Sequence, residues 1–368
     1  MKKLLLGLLP ILALASCSQS NKYELDVTIV GQPTGNMVYL QKLDGRDFVN
    51  VDSTEIKDNA FKFEGTLEVA DLYFIRVGQA EPIQLFLENA KIEVKANLDS
   101  MDKAEINGSV THDSYKKFNE GMMPFRVKMD ALYQKADSLK MGNLLTPAAE
   151  EDLDKEYDAI NGEQNEYASK FVTENPKSVA AAFVAYRILI HSLELPELEK
   201  IATAFDESIA KSQFVVKFRE KVETMKKTAI GQPYIDFSLA DTSGKQIALS
   251  SLVDGKTVVM IDFWASWCGP CRGENPNVVA TYKDLKDKGF QILGVSLDKT
   301  KEAWIKGIKE DGITYPQVSD LLYWESAAAK LYAVNGIPHT VIIGKDGKIA
   351  AKNLRGAELR AKVEELLK

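Results

Sequence analysis

The sequence predicts a multidomain protein, because the spacing of its apolar residues changes twice along the chain. Over residues 23–110 apolar and polar residues alternate in short runs, which is typical of an antiparallel β sandwich or barrel. Over residues 111–228 the spacing becomes helical and glycines are few, which predicts an α-helical region. Over residues 229–368 strand-like and helix-like runs alternate, which predicts an α/β domain.

Composition and charge narrow the classes of function. The chain has 368 residues, of which 45% are hydrophobic and 27% charged, so it is long enough for more than one globular core. Its 46 lysines and arginines against 53 aspartates and glutamates give a net charge of −7, without a basic stripe that could neutralise phosphates. We therefore expect no nucleic-acid partner.

The first residues have the layout of a secretory signal. They read MKKLLLGLLPILALASC: two lysines, an apolar stretch of about 12 residues that is too short to span a bilayer, then small residues before Cys17. The run from Leu14 to Cys17 resembles a bacterial lipobox, in which the cysteine is acylated and becomes the new N-terminus. We therefore expect a signal peptide over residues 1–16 and a lipidated tether over residues 17–22. The alternative is an ordinary signal peptide cut nearby, which would leave Cys17 as a free thiol.

The β region carries no recognisable set of reactive side chains. Runs such as YELDVTIVG, NMVYLQKL and KIEVKANL fit about seven strands, with GQPTGN and LDGRD as breaks between them. Residues 23–109 lack cysteine and histidine, and their carboxylates stand at the polar positions of the alternation. We expect a solvated strand face here rather than a catalytic site.

The most buried helix of the central region is predicted at SVAAAFVAYRILIHSL. Asn175 before Pro176 predicts its start, since asparagine is a favoured cap and proline suits the first helical position. The two histidines of this region, His112 and His191, stand alone in the sequence. We interpret both as hydrogen-bonded structural residues rather than as ligands.

The elements of the C-terminal region follow in turn. TVVMIDFWA, QILGVSL and TVIIGKDGKIAAKNL predict strands, the last of them a hairpin that turns at Asp346-Gly347. Helices are predicted after Cys271, around KEAWIKGIKE and ESAAAKLYAV, and at the end in AELRAKVEELLK. All the tryptophans lie in this region: Trp264, Trp267, Trp304 and Trp324.

Cys268 and Cys271, separated by Gly-Pro, stand between a predicted strand and a predicted helix. A helix N-terminus stabilises a thiolate through its partial positive charge and free N–H groups, so the pKa of Cys268 should be lowered and Cys268 should be the nucleophile. Cys271, one turn later, can attack the mixed disulfide that Cys268 forms with a substrate. This spacing is typical of a redox-active pair.

The sequence leaves two other uses of the pair open, a zinc site and a purely structural disulfide. A zinc site needs about four soft ligands, and the chain has three cysteines and three histidines, with Cys17 expected to be acylated. We therefore expect no metal. A purely structural disulfide is also conceivable, but closing so small a ring removes little entropy from the unfolded chain.

The segment IDFWASWCGPCRGENP resembles the active-site segment of thioredoxin-fold proteins, and its surroundings are similar to the TlpA/ResA-like branch of membrane-attached thiol:disulfide oxidoreductases. The similarity covers roughly residues 230–368. The order of the whole chain resembles a Bacteroidetes-type lipoprotein: a lipobox, a β domain of unknown function, a helical stretch and a TlpA-like thioredoxin domain of the AhpC/TSA and redoxin group. The resemblance implies a thioredoxin fold for the C-terminal domain, and no cofactor.

The resemblance also implies roles for particular residues. Asp262 matches the buried acid with which thioredoxins exchange protons with the second cysteine, and Glu274 matches an acid of the ResA-like branch with the same duty. Ile337-Pro338 matches the cis-proline loop that faces the pair and, with Trp267, is expected to bind substrate. Asp262 as a mere hydrogen-bonding residue and Glu274 as a helix-terminus acid are the structural alternatives. His339, next to the loop, could tune the thiolate.

The function that these expectations favour is a thiol:disulfide oxidoreductase of the cell envelope that exchanges, and in net direction reduces, disulfides. Its expected partners are disulfide-containing envelope proteins, with apocytochrome c as one candidate, an inner-membrane electron donor, and the periplasm-facing lipid bilayer reached through acylated Cys17. One alternative is a thiol peroxidase, although Ala265 stands where peroxiredoxins have threonine. Another is a non-catalytic binding module, against which the intact cysteine pair argues.

Overall fold

The structure is a computed structural model that describes residues 21–31, 34–44 and 47–368. The predicted signal peptide and Cys17 lie outside the described residues. The chain divides into two compact units, each built from two segments: the first ends at Leu189 and resumes over Ala204–Val216, and the second comprises Ile190–Thr203 and Lys217–Lys368. The division into five consecutive parts that the sequence suggested stays a prediction.

The β region of the first unit contains two four-stranded sheets in the part of the chain that the structure describes. One has the strand order β4-β1-β7-β8 and the other β3-β2-β5-β6. The strands are β1 (Tyr23–Val30), β2 (Met37–Asp44), β3 (Asp47–Glu55), β4 (Ala60–Gly65), β5 (Asp71–Val77), β6 (Ile83–Leu87), β7 (Lys91–Asn97) and β8 (Glu105–Asn107). Both sheets contribute to one apolar core, so the predicted β-rich region is confirmed.

The alternation along β1 explains why one of its faces is buried. Leu25, Val27 and Ile29 are almost completely buried, and the residues between them are more exposed. The expectation of a purely antiparallel arrangement is wrong for one pair, because β1 runs parallel to β7, with Leu25 opposite Ile92. These two strands are far apart in sequence, so no tight turn imposes an antiparallel direction on them.

Three helices follow the β region in the first unit: α1 (Val110–Met141), α2 (Pro147–Glu174) and α3 (Val179–Arg187). The predicted start of the buried helix at Asn175-Pro176 is wrong. Asn175 instead ends α2, its backbone N–H donating to the carbonyl of Val172, and α3 begins after Ser178. The intervening turn is closed by the N–H of Ser178, which donates to the carbonyl of Asn175, so the asparagine serves the end of one helix rather than the start of the next.

Two further helices follow α3 in sequence, α4 (Leu195–Ala204) and α5 (Gln213–Lys227). Beyond them the second unit contains a small hairpin of β9 (Ser238–Ala240) and β10 (Gln246–Ala248), and a five-stranded sheet of β11 (Val258–Trp264), β12 (Phe290–Ser296), β13 (Gln317–Val318), β14 (His339–Ile343) and β15 (Ile349–Lys352). The helices of this part are α6 (Gly269–Leu285), α7 (Lys301–Glu310), α8 (Ala327–Leu331) and α9 (Gly356–Leu367).

The five-stranded sheet has the order β13-β12-β11-β14-β15, and β11 is its middle strand. β11 is parallel to β12 and antiparallel to β14, and all seven of its residues are buried. The predicted hairpin is present, with Gly347 in its turn at a φ of +73°, a conformation that glycine adopts easily. Over the described residues, no helix has the length and apolarity that crossing a bilayer requires.

Candidate active site

Cys268 and Cys271 are joined by a disulfide bond at the start of α6. The middle strand β11 ends at Trp264, a short turn follows, and Cys268 then occupies the position that caps the helix. Gly269 and Pro270 fill the first two helical positions, where a proline costs no hydrogen bond. The sequence order of strand, cysteine pair and helix therefore places both sulfurs at a helix N-terminus, as predicted.

The helix end acts directly on the first sulfur. The backbone N–H of Cys271 donates to Sγ of Cys268 over 3.2 Å. Once the disulfide is reduced, the same N–H and the partial positive charge of the helix end favour a thiolate on Cys268 over one on Cys271. Cys268 is 5% exposed and Cys271 only 1%, so Cys268 is also the sulfur that a large partner reaches more easily.

The predicted cis-proline loop lies against the pair. The peptide bond between Ile337 and Pro338 is cis, and the carbonyl oxygen of Ile337 is 3.6 Å from Sγ of Cys268. Pro338 is buried, whereas Trp267, which precedes the first cysteine, is 45% exposed. Ile337 thus contacts the Cys268 sulfur and Trp267 directly precedes it in the chain, while the role of these residues in binding substrate stays a prediction.

Asp262 lies in the middle of β11 and is 3% exposed. Its Oδ2 accepts a hydrogen bond of 3.1 Å from the hydroxyl of Tyr315, a residue that is itself buried. Burial is the main reason why the pKa of Asp262 is raised to about 6, with a smaller contribution from the charge of Glu274, while the Tyr315 hydrogen bond works in the opposite direction. A carboxyl with such a pKa exchanges protons readily near neutral pH.

Glu274 lies in the first turns of α6 and is partly buried. One of its carboxylate oxygens accepts the backbone N–H of Gly356, the first residue of α9, over 2.7 Å, and the other accepts from the amide of Asn277 over 3.3 Å. A carboxylate at a helix N-terminus is stabilised by the free N–H groups there. Glu274 therefore caps the N-terminus of α9 and not that of α6, to which it belongs. Sequence reasoning did not foresee this contact.

Arg272 follows the pair and is tied to a neighbouring helix end. Its guanidinium donates to Asp311 over 2.5 Å and to Glu310 over 3.0 Å, and a third bond of 3.2 Å reaches the carbonyl of Ser266. Asn275 also donates to Asp311. These contacts fix the start of α6 against the end of α7, and no local sequence signal pointed to them.

His339 is the first residue of β14, and its ring packs edge-on against that of Phe263. Burial, followed by the charges of Lys352, Lys221 and Arg355, lowers the pKa of His339 to about 3. The imidazole is therefore neutral at neutral pH. A neutral ring brings no positive charge to the oxidised pair, and the expected tuning of the thiolate by His339 stays a prediction.

Sequence reasoning missed two groups near the pair. The first is Tyr315, whose hydroxyl bonds Asp262 across 53 positions of sequence. The second is the pair Tyr323 and Trp324, whose rings contact that of Trp267. The one available signal was the run DLLYWE, in which four large apolar residues stand together outside any predicted strand or helix.

Comparison with known proteins agrees with this geometry. Residues 230–352 match the AhpC/TSA family, and residues 23–115 match DUF4369, a domain of unknown function. The thiol-disulfide oxidoreductase ResA of Bacillus subtilis is 36% identical over 114 residues, which are 31% of this chain and 61% of that protein. ResA of Bacillus thuringiensis is 32% identical over 142 residues, 39% of this chain and 79% of that protein.

Among solved structures, the thioredoxin domain of a thiol-disulfide oxidoreductase from Bacteroides vulgatus is 35% identical, with a TM-score of 0.36, and the match covers 38% of this chain and 99% of that one. The chain spans about three fifths of the length of the B. subtilis protein. The predicted multidomain class is confirmed: a β-rich region, a helical region and a thioredoxin-like α/β domain.

Proposed function

Because the chain belongs to the ResA-like family of thiol-disulfide oxidoreductases, we propose that it exchanges disulfides in other proteins and that its net direction is reduction. One observation carries this proposal: a disulfide at a helix N-terminus, with its first sulfur 3.6 Å from the carbonyl before a cis-proline and beside an exposed tryptophan. The arrangement leaves Cys268 the less buried of the two cysteines and keeps Cys271 within bonding distance of its sulfur. Exchange through a mixed disulfide needs both.

In the reductive direction the reaction starts from the dithiol form of the pair. The Cys268 thiolate attacks one sulfur of the client's disulfide, a mixed disulfide forms, and the other client sulfur leaves as a thiolate. Cys271 then loses its proton and attacks Sγ of Cys268. The Cys268–Cys271 disulfide forms, and the client's second sulfur leaves. The client gains the two electrons that the cysteine pair loses.

The proton of Cys271 needs an acceptor, and we assign Asp262 to that role. An ionised Asp262 is costly at its buried position, so taking up the proton relieves that cost at the moment when Cys271 becomes a thiolate. Glu274 is close enough for its charge to raise the pKa of Asp262, and it is less buried. It would pass the proton on toward water.

The place of action that we propose is the outer side of the bacterial inner membrane or the inner side of the outer membrane, with acylated Cys17 as the anchor. The lipobox-like end of the apolar leader supports this, as does the enzyme class, since disulfides persist in such compartments. The clients would be disulfide-containing envelope proteins, with apocytochrome c as one candidate. A membrane-bound electron donor would reduce the pair after each turnover, because a reductant in an oxidising compartment has to be recharged.

The chemistry is tested with insulin as a disulfide substrate and a chemical reductant as donor. Wild-type protein should reduce insulin, Cys268→Ser should be inactive, and Cys271→Ser should accumulate a mixed disulfide that non-reducing electrophoresis detects. A wild-type rate in Cys268→Ser would disprove the assignment of the nucleophile. Hydrogen peroxide offered in place of insulin distinguishes the peroxidase alternative, for which turnover would be faster with peroxide.

The anchor is tested separately in cells. Cys17→Ser should move the protein from the membrane fraction to the soluble extracytoplasmic fraction, while Cys268→Ser, which keeps the leader intact, should stay with the membrane. Persistent membrane attachment of Cys17→Ser would contradict lipid anchoring, whatever the outcome of the insulin assay.

A further inference from the structure

An aromatic cluster lies beside the reactive sulfur. The ring of Trp267 is 5.0 Å from that of Tyr323 and 6.1 Å from that of Trp324, and these two rings are 5.9 Å apart. The ammonium group of Lys299 lies 4.6 Å from the centre of the Tyr323 ring. Three large rings therefore form one connected surface with Trp267, the residue immediately before Cys268, at its edge.

The segment that supplies two of these rings has an unusual backbone. Leu321 and Tyr323 both have a φ of +58°, a left-handed conformation that non-glycine residues rarely adopt and that strains the backbone. The loop is held in this form by the carboxylate of Asp320, which accepts the backbone N–H of Leu322 over 3.2 Å and that of Ala327 over 2.8 Å. These hydrogen bonds hold the backbone in its strained conformation.

The result of this strained turn is an exposed apolar side chain. Leu322, between the two left-handed residues, is 54% exposed, and Trp267 is 45% exposed. Large apolar side chains that stand together in water are typical of interaction surfaces, and strained backbone is typically retained where it serves a function. Leu322 does not belong to the apolar core of the second unit, whereas its neighbours Leu321 and Trp324 pack partly against that core.

We propose that Trp267, Leu322, Tyr323 and Trp324 form a docking surface for an extended segment of a client polypeptide, one that carries a large apolar or aromatic side chain next to its reactive cysteine. This inference rests on the proposed function and names the class of client. The surface adjoins the place where the client reacts. A client sulfur bonded to Cys268 brings its flanking residues next to Trp267, which is joined to Cys268 by a peptide bond. Lys299 at the margin of the surface disfavours a basic flanking residue.

The surface predicts a preference among substrates that differ only beside the cysteine. Two cyclic disulfide peptides of equal length are compared, one with phenylalanine and one with serine next to the attacked cysteine, together with hydroxyethyl disulfide as a small substrate. Wild-type protein should reduce the phenylalanine peptide about tenfold faster at limiting concentration, which corresponds to about 1.4 kcal/mol of binding free energy. The preference should be seen in kcat/KM.

Leu322→Ser should lower this preference to about twofold, and Tyr323→Ala should lower it as well. The matched control is Leu144→Ser, which removes an exposed leucine, 62% exposed, from a loop of the first unit and should keep the tenfold preference. If wild-type protein reduces all three substrates but the two peptides at equal rates, the docking surface is refuted while the proposed function stands. If it reduces none of the three, the proposed function itself fails. A preference that survives in both Leu322→Ser and Tyr323→Ala would also overturn the assignment.

Discussion

Replacing Asp262 by asparagine removes an ionisable group from the middle strand of the thioredoxin-like sheet. The raised pKa of Asp262 means that the folded protein binds its proton more tightly than the unfolded chain does. The contribution of Asp262 to stability is therefore fully present below its unfolded pKa, near 3.8, and is lost as the pH rises to about 6. Above that pH the buried carboxyl of Asp262 is ionised in the folded protein. The loss of its hydration on burial is the main cost of that ionisation.

The size of the effect follows from the shift. A pKa of about 6 instead of 3.8 is a shift of about two units, and each unit corresponds to about 1.4 kcal/mol, so the ionised form destabilises the fold by about 3 kcal/mol. About half of this, roughly 1–2 kcal/mol, develops between pH 5 and pH 8. Asparagine has no such titration. The free energy of unfolding of Asp262→Asn minus that of wild type should therefore increase by roughly 1–2 kcal/mol over this pH range.

The assay is urea unfolding of the oxidised proteins at pH 5 and pH 8, followed by tryptophan fluorescence. All four tryptophans lie between residues 264 and 324, so the signal reports the second unit and not the β region. The comparison uses the change between pH 5 and pH 8 in the difference in free energy of unfolding between variant and wild type. Any effect of the substitution that does not depend on pH then cancels. Asp287→Asn, which removes an exposed carboxylate from the same unit, is the control and should show no such increase. A difference between Asp262→Asn and wild type that is the same at both pH values would refute the raised pKa.

Three further outcomes are expected. In stopped-flow fluorescence at pH 7, Asp262→Asn should slow resolution of the mixed disulfide by roughly 10- to 100-fold without slowing its formation. Glu274→Gln should slow resolution by a smaller factor. Unchanged resolution in both variants and in the double variant would leave solvent as the proton acceptor. Tyr315→Phe removes a hydrogen bond that lowers the pKa of Asp262, so the pH profile of resolution should move to higher pH, and a profile that does not move would contradict the contact. Gly294→Ala would bring a Cβ to 2.0 Å from the side-chain amide nitrogen of the buried Gln317. Urea unfolding should therefore show a free energy of unfolding lower by about 1–3 kcal/mol than that of wild type. An unchanged free energy of unfolding would mean that the amide has room to move.

Local signals made much of the active site predictable. The cysteine pair, the strand before it and the helix after it are adjacent in sequence, so their mutual placement follows from local rules, and Asp262 is an acid in an otherwise apolar strand. Glu274 was expected at the right place but with a different partner, because Gly356 is 82 positions away. Tyr315 gave no signal at all: its hydroxyl finds Asp262 through the packing of β13 and its approach against the sheet.

The errors in the fold have the same origin. The direction of β7 against β1 depends on a long connection, for which the alternation pattern carries no information. Asn175-Pro176 matched a helix start in composition, but the backbone there already ended α2, and Ser178 took the position before α3. The residues of β7 were correctly assigned to a strand, whereas Pro176 was assigned to a helix and lies in a turn. In both cases the local sequence fits two arrangements, and only the neighbouring elements decide between them.

The ion pairs of Arg272 with Asp311 and Glu310 affect how the reactivity of Cys268 depends on ionic strength. The cation nearest in sequence to the pair is already neutralised by two carboxylates, so the main stabilisation left for a Cys268 thiolate is the contact from the N–H of Cys271 and the dipole of α6. Dissolved ions screen exposed point charges strongly but a buried backbone N–H in contact with sulfur only weakly. The rate at which a neutral alkylating reagent modifies reduced Cys268 should change little between about 0.01 M and about 1 M salt. Such a pair would keep its reactivity in a compartment whose salt content follows the surroundings of the cell.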